Sequence, residues 1–118
     1  MTGQLLRRRV VSLNRQRVVN LVGVSTNTVI STVKISQGGI SGTVTDVRLI
    51  LNAAIEKLAS GIILAHNHPS GNLSPSDADL KITKKIKDAS ALLDLTLLDH
   101  LIVSSQGYLS LADDNLMP

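Results

Sequence analysis

Four residues in one short stretch carry side chains that could do chemistry together: His66, His68, Ser76 and Asp79. The apolar run Gly61-Ile62-Ile63-Leu64-Ala65 leads into them and reads as a buried strand. Side chains alternate along a strand, so His66 and His68 face the same way if the strand continues that far. Pro69, Gly71 and Pro75 then break regular structure, and Ser76 and Asp79 stand at the mouth of a helix. Two imidazoles and a carboxylate converging there suit a divalent cation such as zinc. The chain has no cysteine, so disulfides and thiolate ligands are excluded and any metal must bind nitrogen and oxygen.

Each of these residues also has a plainer reading. The two histidines could be structural members of a Pro/Gly turn, Asp79 a carboxylate favoured by a helix dipole, and Ser76 a solvated first-turn serine. The agreement of spacing, strand placement and carboxylate favours the metal reading. Asp77 is the competing carboxylate, but its position suits capping. The third histidine, His100, lies in an apolar strand and reads as a satisfied core histidine rather than a ligand.

The elements that must position these groups follow from residue periodicity. Val10 to Leu13 reads as a first strand, Val18 to Val24 as its hairpin partner, and Thr28 to Ile35 as a third strand rich in β-branched residues. Ile40 to Thr43 extends it after Gln37-Gly38-Gly39. Thr45 can cap a helix whose apolar stripe is Val47, Ile50, Leu51, Ala54, Ile55 and Leu58, ending near Ser60-Gly61. Strand 61–66 is apolar almost throughout, which predicts a central strand covered on both faces. A second helix is expected from Ser74-Pro75, with Ser74 as cap and Asp77 completing a capping box. Leu95 to Val103 reads as a strand interrupted at Asp99-His100, and Tyr108 to Leu111 as the last strand.

Composition sets the remaining limits. A chain of 118 residues makes one domain with a modest core, and with Tyr108 as its one aromatic residue that core must be aliphatic. Residues 1–9 read as an incomplete or appended end of a single domain over 1–118. No apolar run approaches the ~20 residues of a membrane span and no signal peptide is visible, so a cytoplasmic location is expected. The net charge of +3 is concentrated in Arg7, Arg8, Arg9, Arg15 and Arg17 and in Lys81, Lys84, Lys85 and Lys87. Such charge can attract nucleic acid, but without interleaved aromatic residues a solvated surface is the simpler expectation.

The pattern His66-x-His68, seven residues, Ser76, two residues, Asp79 resembles the JAMM motif of the JAB/MPN metalloproteases. The run His66-Asn67-His68-Pro69-Ser70-Gly71, with Leu98-Asp99-His100-Leu101-Ile102-Val103 and Leu111-Ala112-Asp113, resembles the bacterial RadC-like branch, whose name is tied to DNA repair. The resemblance implies an α/β (α+β) fold of MPN/JAB type. That is a mixed sheet with helices packed on it in a cytidine-deaminase-like three-layer arrangement. It further implies His66, His68 and Asp79 as ligands of one zinc ion with water in the fourth position, Ser76 as support for a tetrahedral intermediate, and hydrolysis of a peptide or isopeptide bond. A metal-acidified water with a pKa of ~7 and a positioned hydroxyl are suited to that chemistry.

Two departures qualify the resemblance. JAMM enzymes use a glutamate on an earlier strand as general base. The one glutamate here, Glu56, lies on the first helix off its apolar stripe. In the RadC-like branch the acid is expected just before the segment that is Gly38-Gly39 and Gly42-Thr43 here, and that position holds Gln37. Glutamine cannot accept a proton at neutral pH, and losing a general base costs ~100- to 10,000-fold in rate. A catalytically inactive metal-binding or protein-interaction module is therefore the competing expectation. The second expected departure is that these 118 residues show no counterpart of the N-terminal helix-hairpin-helix region that RadC-like proteins usually carry. What remains for a DNA-repair-associated role is weak nucleic-acid contact through Arg7, Arg8 and Arg9.

Overall fold

The apolar run ahead of the histidines forms β3, Gly61–Asn67, the middle strand of a five-stranded sheet. The computed structural model describes residues 7, 8, 11, 21–25, 28–33, 46–68, 73–105 and 107–118, with backbone alone for 21–25, 28–30 and 32–33. The other strands are β1 Leu21–Ser25, β2 Thr28–Val33, β4 Thr96–Ser104 and β5 Gly107–Ser110, in the order β2-β1-β3-β4-β5. β1 runs antiparallel to both β2 and β3, β4 runs parallel to β3, and β5 returns antiparallel to β4. A parallel pair needs a crossover, and α2, Asp77–Leu92, provides it between β3 and β4. The other helix, α1, Val47–Glu56, precedes β3.

β3 is buried on both faces, as its composition predicts. Ile62 and Leu64 pack with Ile50, Ala53 and Ala54 of α1 and Ile86 of α2. Ile63 and Ala65 pack on the opposite face with Leu101, Val103 and Val11. Arg7, Arg8 and Val11 are helical and Val11 packs on the face of the sheet opposite α1 and α2, which makes a third layer. The first strand expected over Val10 to Leu13 is corrected at Val11, and its other residues lie outside the described ones. The β-branched run favoured a strand, but tertiary packing of Val11 against the sheet outweighs that weak local preference.

Both labelled helices begin differently from their sequence signals, and α1 also ends differently. Asp46, not Thr45, caps α1, because its carboxylate accepts the Arg48 amide at 2.9 Å. α1 then stops at Glu56 rather than near Ser60-Gly61. Its end is a Schellman turn in which Ala59 N donates to Ala54 O and Leu58 N to Ile55 O, with Leu58 at φ 53°. α2 ends the same way, with Leu95 N donating to Ser90 O and Asp94 at φ 58°. In both turns a non-glycine residue holds the left-handed position, which is why glycine was a misleading stop signal. The expected strand at Ile40 to Thr43 lies outside the described residues. No helix among the described residues is long and apolar enough to cross a membrane.

Candidate metal centre

The histidine pair is phased by the β3–β4 ladder. His66 follows Ile62 and Leu64 at two-residue spacing, so it emerges on the face covered by α2. β3 ends at Asn67, yet the His68 amide still donates to Val103 O at 3.0 Å. That bond carries strand geometry one residue further and brings the His66 and His68 rings to 4.7 Å between centroids.

β4 reaches the same face through a bulge. Ile62 pairs with Leu97 but Ile63 with Asp99, so Leu98 is the extra residue. The expected interruption at Asp99-His100 is therefore a local register shift within one continuous strand. Its effect is to exchange the faces beyond it. Leu97 packs on the α2 side, and so does His100 three residues later, while Asp99 turns to the other side. Leu98 lies over Gly61, where an added Cβ would stand 2.8 Å from Leu98 Cδ1.

The start of α2 supplies the carboxylate. Ser76, not Ser74, is the N-cap, and Asp79, not Asp77, is the N3 residue of a capping box. Ser76 Oγ accepts the Asp79 amide at 3.0 Å, and Asp79 Oδ2 accepts the Ser76 amide at 2.8 Å. The sequence holds two overlapping Ser-x-x-Asp patterns, 74–77 and 76–79, and local propensity does not separate them. The second joins the sheet, because its carboxylate also meets both histidines.

Asp79 Oδ1 lies 3.2 Å from His66 Nε2, and Asp79 Oδ2 lies 3.2 Å from His68 Nε2. One ligand atom from each of the three residues falls within 4.8 Å of the others. Ligand bonds of about 2.0–2.1 Å in a tetrahedron place donors ~3.3 Å apart, so the spacing fits a small divalent cation. The donor set fits as well. A neutral imidazole nitrogen and a carboxylate oxygen are both acceptors, and two acceptors at 3.2 Å require a cation or a proton between them. Burial opposes ionisation of Asp79, but hydrogen bonds from His66 and the Ser76 amide prevail and hold its pKa below the usual carboxylate range. The side chains remain 14–27% exposed, so the centre is reachable from solvent.

Behind the pair stands His100, which the sequence placed in the core as a satisfied histidine without naming its partners. It is buried, and its Nε2 lies 2.9 Å from His66 Nδ1. Its Nδ1 meets Thr83 Oγ1 of α2 at 2.5 Å. Burial lowers its pKa to about 3, with the neighbouring His66 and His68 adding to the effect, so it is neutral at physiological pH. Thr83 is a partner that sequence reading missed. Its one-turn spacing from Asp79 was the available signal.

Asp99 organises the opposite face. Its carboxylate accepts from Arg7 Nε at 2.9 Å, the His100 amide at 2.7 Å, the Ala112 amide at 3.0 Å and the Ser110 hydroxyl. Arg7 also pairs with Asp113 at 3.1 Å. Arg7 is thus engaged within the fold, Arg8 is exposed, and Arg9 lies outside the described residues. Gln37, the expected base position, also lies outside them. Glu56 is exposed at the end of α1. It precedes the start of β3, which the strand rise places about 17 Å from His66.

The chain is similar to known proteins over most of its length. A family model described as RadC-like JAB domain matches residues 1–116. A UPF0758 protein of Flavobacterium johnsoniae is 51% identical over 92 residues, covering 78% of this chain and 40% of its own length. A UPF0758 protein of Porphyromonas gingivalis is 49% identical over 90 residues, covering 75% of this chain and 40% of its own. A third, from Clostridium perfringens, is 36% identical over 104 residues and covers 87% and 46%. The chain therefore spans less than half the length of these relatives.

Proposed function

The chain belongs to the RadC-like JAB domain family, and we propose that it binds one zinc ion through His66, His68 and Asp79 and is built for hydrolysis of a peptide or isopeptide bond. The observation that carries this reading is the meeting of His66 Nε2, His68 Nε2 and the Asp79 carboxylate within 4.8 Å at the end of β3. A zinc ion held there supplies a water acidified to a pKa of ~7 and polarisation of the scissile carbonyl.

The chain's own residues divide the remaining work. His66 and His68 are held in phase by the β3–β4 ladder, and Asp79 by the capping box. Ser76 Oγ accepts from the Asp79 amide, which leaves its hydroxyl proton to donate to a developing oxyanion. The Ser76 side chain is exposed at the helix start, where a substrate oxygen can reach it. Gln37 stands by sequence where the family pattern places the general base, so proton removal is the weak step.

The test compares wild type with Gln37→Glu on fluorogenic peptides and on a lysine isopeptide substrate, each with zinc supplied. The expected result is slow hydrolysis by wild type and at least ~100-fold faster hydrolysis by the variant. Equal rates would reject the base position of Gln37. No metal-dependent cleavage by either protein would reject the hydrolase reading and leave a metal-binding module.

A further inference from the structure

We propose that Thr83 and His100 are positioning residues that fix the tautomer of His66, so that its Nε2 lone pair points into the centre shared with His68 and Asp79. The argument follows from counting protons along one chain of contacts. Thr83 Oγ1 lies 2.5 Å from the Asp79 carbonyl oxygen and 2.5 Å from His100 Nδ1. A hydroxyl has one proton and two lone pairs. The carbonyl can only accept, so Thr83 donates there. Toward His100 it must then accept, which puts a proton on His100 Nδ1. The opposite assignment leaves two oxygen acceptors facing each other at 2.5 Å with nothing between them.

His100 is buried, where an added charge would lose its hydration, so it is taken as the neutral ring and its Nε2 carries a lone pair. That lone pair faces His66 Nδ1 at 2.9 Å, so His66 Nδ1 bears the proton. With the proton on Nδ1, the Nε2 lone pair of His66 is the one left to face a cation held between Nε2 and Asp79 Oδ1, which are 3.2 Å apart. The same α2 turn thus contributes twice. Its Asp79 side chain enters the centre, while its Asp79 carbonyl, through Thr83 and His100, orients a second ligand of that centre. A hydrogen-bonded partner on the far ring nitrogen is how proteins set both the orientation and the basicity of a ligating imidazole.

The inference rests on the metal-binding reading for its purpose but not for its first test. Long-range proton–nitrogen correlation spectra of nitrogen-15-labelled, metal-free protein at neutral pH read the tautomer of His100 directly. The proton is expected on His100 Nδ1. A proton on His100 Nε2 would overturn the proposal whether or not the protein binds metal. The second test titrates zinc chloride into wild type, Thr83→Val and Thr83→Ser. Thr83→Val is expected to weaken binding ~10- to 100-fold and to shift the His66 tautomer populations, while Thr83→Ser keeps the hydroxyl and restores both. A folded Thr83→Val protein with wild-type affinity and an unchanged His66 spectrum would overturn the positioning role. If no protein binds zinc, the metal reading fails and the His100 spectrum still decides the relay.

Discussion

Replacing Asp99 by asparagine removes one charge and reverses one hydrogen-bonding group at the point where four parts of the chain meet. Asp99 is 2% exposed and accepts from Arg7, the His100 amide, the Ser110 hydroxyl and the Ala112 amide. In Asp99→Asn the oxygen facing the two amides can be kept. The new amide group then faces Arg7 Nε, donor against donor, and the charge-assisted bonds to Arg7 and Ser110 are lost. A hydrogen bond to a charged group contributes about 1.5–3 kcal/mol, and Arg7, 22% exposed, can regain some water. The expected loss is about 3 kcal/mol. With an unfolding entropy near 2.1 cal/mol/K per residue, a chain of 118 residues loses about 4 °C per kcal/mol, so Tm falls by roughly 12 °C. Calorimetry reads Tm, and a double-mutant cycle with Arg7→Met isolates the ion pair. A Tm shift under ~2 °C with no coupling to Arg7→Met would refute the reasoning that Asp99 ties the N-terminal helical residues to the sheet.

Two further outcomes follow from single residues. Leu58→Gly is expected to raise stability by ~0.5–1 kcal/mol in urea unfolding, because Leu58 is 85% exposed and holds φ 53°; a loss of stability would contradict the strain assigned to that turn. His100 has a folded pKa of about 3 against an ordinary 6.5, so the unfolded chain takes up the proton first. Its contribution is complete above pH ~6.5 and is lost as pH falls toward ~3, by up to ~1.4 kcal/mol per pH unit, and the lowered Asp79 pKa adds loss in the same direction below the carboxylate range. Nitrogen-15 shifts of metal-free folded protein should show His100 neutral at pH 5, and a titration midpoint near 6.5 would contradict this.

Much of the fold and centre was legible because the relevant signals are local. The continuous apolar run of β3 announced a strand covered on both faces, and its period of two set His66 and His68 on one side. What was not legible depends on contacts between distant segments. Val11 looks like strand and is helical because of what it packs against. The choice between the Ser74 and Ser76 capping patterns is made by Asp79 meeting histidines on another element. The Leu98 bulge shifts His100 onto the α2 face, and no residue-by-residue propensity encodes that shift. His100 was placed correctly in the core, but its bond to His66 required the β3–β4 register.

Titration of zinc into metal-free protein, followed by isothermal calorimetry, puts the centre itself to trial. One zinc per chain is predicted for wild type, with binding abolished in His68→Ala and Asp79→Ala while both variants remain folded. Absence of binding by wild type, or binding that survives both substitutions, would contradict a metal centre at His66, His68 and Asp79.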